Sequence, residues 1–250
     1  MKMMSAIALL SLAAVAAPAQ EGAQVSRDFD MRGFDRIELS GCDIVTVAMG
    51  SAYAVTARGR AANIDNLRID TTGSTLRIRR RNNSCNGHDR RVAITVTLPA
   101  LKAVDVSGAA EMNLPALDGA AFALDASGAG VVRLPALRSG AAGFGLSGAS
   151  EVTVHKLEAE RANLGTSGAS VLRIDGAARQ VTIDSSGASV LDARGLSAPE
   201  ATIDASGTAK VRAGSAQRVQ VGASGMANVS VEGDPHCTIS KSGLARVTCG

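Results

Sequence analysis

The chain has 250 residues, a formal net charge of +3, no tryptophan and a single tyrosine, Tyr53. A balance so near neutral gives no electrostatic reason to expect a nucleic-acid partner. The shortage of aromatics excludes an aromatic-rich core and the aromatic platforms of most sugar-processing sites, so the interior must be built from Val, Ile, Leu and Ala in thin layers.

Residues 1–19 read as a signal peptide. Lys2 supplies the positive start, Ala6 to Ala17 form an apolar run, and Ala17-Pro18-Ala19 fits the small-x-small cleavage rule. The run is shorter than the roughly 20 residues that span a bilayer, so no membrane span is expected after cleavage. The protein is expected to be exported, to the periplasm or to the cell surface or medium. Residues 20–33 read as a linker and 34–250 as one domain.

That domain opens with Phe34-x-x-Ile37-x-x-Ser40-Gly41, with Val45 and Val47 five and seven residues after the serine. A strand-rich insertion, 48–92, follows. Its alternating segments, Tyr53-Ala54-Val55-Thr56-Ala57 and Leu76-Arg77-Ile78-Arg79, predict antiparallel strands that cap one end of the fold. The insertion ends in an arginine-rich stretch. Arg79, Arg80, Arg81, Arg90 and Arg91 are candidates for holding phosphate or sulfate groups of lipopolysaccharide or an acidic glycan, because guanidinium forks match such groups. The plainer reading, a solvated loop that keeps the cap soluble, is preferred. Val96, Leu98 and Leu101 then read as positions +5, +7 and +10 of a further coil.

From residue 104 a repeat takes over. Ser-Gly recurs at Ser107, Ser127, Ser147, Ser167, Ser186, Ser206, Ser224 and Ser242, in steps of 20, 20, 20, 19, 20, 18 and 18 residues. Apolar residues stand three before each serine (Val104, Leu124, Phe144) and five after it (Met112, Val132, Val152). Seven after it stand Leu114, Leu134 and Val154, with a mostly polar residue between the +5 and +7 columns. That is strand alternation. The predicted fold is all-β: a β-solenoid, read as a right-handed single-stranded parallel β-helix with ~20-residue coils turning at Ser-Gly corners. Stacked ~4.8 Å apart, eight coils give a rod on the order of 40 Å long.

The repeated serines read as architectural, able to bond nearby backbone. No histidine recurs with them to serve as a base. Two residues before the serines stand Asp105, Asp125, Asp184 and Asp204, which could share Ca²⁺. The Gly-Gly-x-Gly-x-Asp calcium repeat is missing, so no metal or other cofactor is expected. His88, His155 and His236 have neither metal nor triad spacing. Of the three pairings open to four cysteines, the preferred one joins near neighbours, Cys42–Cys85 and Cys237–Cys249. A zinc site would lack any Cys-x-x-Cys pair.

The Phe34-x-x-Ile37-x-x-Ser40-Gly41 segment, followed by a strand-rich stretch and serial Ser-Gly-Ala coils, resembles the autotransporter adhesin "head GIN" domain family over residues 34–250. The resemblance implies a surface-exposed adhesin head with no established catalytic residues. The expected function is a non-enzymatic interaction scaffold of the cell envelope or surface, its partner an envelope protein or an acidic glycan. The alternative is a polysaccharide-processing or polysaccharide-binding β-helix.

Overall fold

The computed structural model describes residues 24–82, 85, 91–214 and 216–250. The segment read as a signal peptide lies outside these residues, as do His88 and Arg90. The described chain is a parallel β-solenoid of about seven turns with ~20-residue coils.

Each coil runs through two walls. A long strand leads into the Ser-Gly corner and a short one leaves it, as in Leu137–Leu146 before Ser147 and Val190–Ala193 after Ser186. Like strands stack in register from coil to coil. Leu124 lies over Val104 and under Phe144, and Val132 lies between Met112 and Val152. The period of two is what sorts residues between core and surface. From the Ser107 coil to the Ser224 coil, columns −3, −1, +3, +5 and +7 point inward, joined by most of column −5, and a contiguous apolar core results.

The corners explain the invariance of their glycines. Gly108, Gly128, Gly148, Gly168 and their successors have φ between 66° and 77°, a region that side chains disfavour. A Cβ on Gly148 would also stand 2.6 Å from the Gly128 carbonyl oxygen of the coil before. The tight stacking has a purpose: Ala129, Ala149 and Ala169 donate their backbone N–H to the glycine carbonyl one coil back, at 2.6–2.7 Å. Differences in coil length are absorbed at the turn after +7 instead. Ala193 pairs with Ala213 and Ala198 with Ala216, so two residues drop out there while the corners stay aligned.

The insertion forms a cap on the N-terminal side of the first coil. Thr75–Arg80 pairs in parallel with Arg36–Gly41 and antiparallel with Leu67–Thr72. On the other wall, Ala54–Arg60 pairs antiparallel with both Gln24–Phe29 and Ala93–Leu98. The short helix Ala61–Asp65 joins the two walls and buries Ile64 in the core. One expectation is corrected here. Ala93–Leu98 lies against Ile44–Met49, with Ile94 opposite Val45 and Val96 opposite Val47. Val96 therefore occupies +7, not +5, and Leu98 lies opposite Met49 at +9. A two-residue shift keeps every side chain on its face, which is why alternation alone misplaces it.

Both expected disulfides are present, Cys42–Cys85 and Cys237–Cys249. The second joins the −5 and +7 positions of the last coil, where earlier coils carry core residues such as Val219 and Val231.

Candidate functional site

An open groove of about 850 Å³ runs along the corners. Three columns line it. The serines form one edge, and those at most corners are half-buried. The −1 residues, from Ala126 and Leu146 to Ala223, lie beneath, and the −2 residues form the other edge. Because each column advances by one coil at a time, the groove repeats nearly the same cross-section over its length.

Its charge does not repeat evenly. Asp105 and Asp125 sit on one side of a gap at Gly145 and Gly165, and Asp184 and Asp204 on the other. Glu38 lies beside Asp105 in the same row. Burial first, and then the neighbouring charges of Asp125 and Glu38, push the Asp105 carboxyl above the ordinary aspartate range. Among the described residues none of the four aspartates makes an ion pair, whereas acids outside the groove commonly do: Glu111 pairs with Arg133, Glu151 with Arg173 and Glu200 with Arg218. Among the described residues no group of three or more His, Cys, Asp or Glu side chains is placed to hold a metal ion.

Under the middle of the groove lies a set of buried hydroxyls that the sequence reading did not single out. Thr166 and Ser185 are 2.8 Å apart, Ser185 and Ser189 2.9 Å, and the Thr166 hydroxyl donates to Ser189 at 3.2 Å. Ser150, Ser170 and Ser189, at +3, each donate to the carbonyl of their own corner serine at 2.8–2.9 Å. These hydroxyls satisfy one another and the backbone, as burial requires. Extending the period of two through the corner to −1 and +3 would have placed them inside. The hydroxyls of the corner serines reach backbone only at long range among the described residues, Ser167 donating to the Leu146 carbonyl at 3.3 Å and Ser107 to that of Leu39 at 3.5 Å.

The candidate arginines do not come together as one patch. Arg80 points inward, as the third member of the alternation Leu76, Ile78, Arg80. Its Nε donates to Asp43 at 2.9 Å and its Nη2 to the other carboxylate oxygen, and Asp43 also accepts the Val92 N–H at 2.8 Å. Asp43 is fully buried, so Arg80 is a core ion-pair residue and not an exposed anion ligand. Arg79 is half-exposed and donates to both oxygens of Asp70. Arg81 is exposed, and Arg91 donates to the Ala109 carbonyl at 3.2 Å near Glu111.

Residues 33–235 match the model of a family described as "Putative auto-transporter adhesin, head GIN domain". Among solved structures, one titled a putative adhesin from Parabacteroides distasonis superposes with a TM-score of 0.84 at 18% identity, covering 92% of this chain and 98% of that one. Another so titled, from Parabacteroides merdae, gives 0.81 at 16%, covering 91% and 96%. At these identities the likeness is one of fold. A search of curated proteins found no match.

Proposed function

The chain belongs to the auto-transporter adhesin head GIN domain family, and on that basis we propose that it is an exported, non-enzymatic interaction scaffold of the cell envelope or surface. It engages its partner along the serine-lined groove. The observation that carries this reading is the groove's repetition. The serine column and the cross-section recur coil after coil along an axis, whereas a catalytic site gathers a nucleophile, a base and a charge stabiliser at one point. The unpaired aspartates make the groove a poor seat for an acidic glycan. A glycan of that kind would have to use the outward arginines of the cap, Arg79, Arg81 and Arg91.

Gly165 offers a clean test. A Cβ there would meet nothing closer than the Phe144 carbonyl oxygen at 3.6 Å, so a side chain fits the backbone yet fills the groove at mid-length. The purified protein should retain envelope proteins or glycans in a pull-down, and Gly165→Leu should lose that retention without a change in melting temperature. Undiminished capture by the variant would remove the groove from the reading. Turnover of acidic polysaccharides in a parallel activity screen would replace it with the polysaccharide-processing alternative.

A further inference from the structure

Position +2 is exposed at all eight corners from Ser107 to Ser242. Five successive corners carry alanine there, from Ala109 to Ala188, and the next carries Thr208. The last two carry Met226 and Leu244, which are 60% and 77% exposed. Their backbones are joined coil to coil, since Met226 donates to Gly207 and Leu244 to Gly225 at 2.7–2.8 Å, so the side chains stand side by side. The exposure belongs to the outward direction of the column.

Cations frame this pair. Lys210 and Arg246 lie in one row at +4, with Asn228 between them, and all three are exposed. Lys241, also exposed, precedes the last corner. Neither the two lysines nor Arg246 makes an ion pair among the described residues, on a surface where Arg133, Arg173 and Arg218 each hold an acid. From −1 to +4 the last three corners contain no Asp or Glu.

We propose that this corner tip docks peripherally on an anionic lipid surface, with Met226 and Leu244 entering the headgroup layer and Lys210, Lys241 and Arg246 meeting lipid phosphates. Charge complementarity selects an anionic partner. The two bulky apolar side chains select a membrane over a soluble polyanion, which offers nothing for them to enter. Docking there sets the C-terminal coils at the membrane and carries the capped N-terminal end and the rest of the groove away from it. The inference is independent of what the groove binds.

Co-sedimentation of the full protein with vesicles tests it. Vesicles of phosphatidylglycerol and phosphatidylcholine should bind at least about tenfold more tightly than phosphatidylcholine alone, and the binding should weaken with salt. Met226→Ser with Leu244→Ser, and separately Lys210→Glu with Arg246→Glu, should each lower it by about tenfold or more, with melting temperatures unchanged because all four side chains face solvent. Absence of binding to the anionic vesicles, or equal binding by both double variants, would overturn the proposal. So would retention on soluble heparin that the Met226/Leu244 variant shares fully while vesicle binding is absent. Self-association that needs those two residues and no vesicle would assign the tip to a second copy instead.

Discussion

Asp43 and Arg80 show how much a single inward charge can commit. The Arg80 side chain is 2% exposed and that of Asp43 fully buried, and the carboxylate also ties down Val92 at the end of the insertion. Removing one partner leaves the other charged and dry. Asp43→Asn or Arg80→Met alone should cost about 3–5 kcal/mol, and the double variant Asp43→Leu with Arg80→Met should recover part of the loss, read from urea unfolding midpoints. Asp105 behaves in the opposite sense. Its raised carboxyl pKa means that the folded state holds the proton more tightly than the unfolded one, so its contribution is complete below the ordinary aspartate value of about 4. That contribution is lost as pH rises through the elevated pKa. Asp105→Asn should therefore melt at a higher temperature than the parent at pH 7 and at the same temperature near pH 3. A gap that does not close on acidification would show that the cost of ionising this half-enclosed carboxyl, from burial first and then from Asp125 and Glu38, is not its origin.

At the level of elements, what sequence reveals depends on whether a position is read by hydropathy or by period. The strands on either side of each corner are legible because Leu124, Phe144 and Leu164 mark one wall and Val132, Val152 and Leu172 the other. The inward hydroxyls of Thr166, Ser185 and Ser189 are not, because a hydroxyl scores as surface until its partners are known. The inward place of Arg80 is hidden for a related reason: its charge outweighs the alternation it completes. The groove was only half legible. Its serine and aspartate edges can be read as columns, but that they face each other across −1 depends on how the strand meets the corner. The Cys237–Cys249 disulfide takes over core positions in the final coil, where Ile239 is already 44% exposed. Removing it by Cys237→Ala with Cys249→Ala should destabilise by about 2–3 kcal/mol, as expected for a short closed loop. Hydrogen exchange should localise the loss to His236–Lys241 and Arg246–Cys249, with the cap unaffected. Uniform loss along the rod would mean that the coils open as one unit.

Across the whole molecule the two ends are built differently. At the N-terminal end antiparallel strands, a helix and the Cys42–Cys85 disulfide cover the first coil and interrupt the parallel stacking. The C-terminal coils carry the exposed apolar and cationic side chains. A rod with one closed end and one reactive end has a direction, and the groove between them inherits it, passing from its acidic pairs to Lys241. Capture by the groove and docking by the tip can be separated by mutation, because Gly165 lies several coils from Met226.

The hydrogen bonds from each +2 N–H to the glycine carbonyl of the coil before have a consequence for how such a protein changes over generations. Every coil brings its own glycine carbonyl and its own acceptor-seeking N–H, so a coil gained or lost as a unit leaves the joints on both sides whole. Insertions of a few residues are shed at the opposite turn, while whole coils pass through the spine unnoticed. Reach becomes a heritable quantity adjusted by duplication, with the cross-section inherited unaltered.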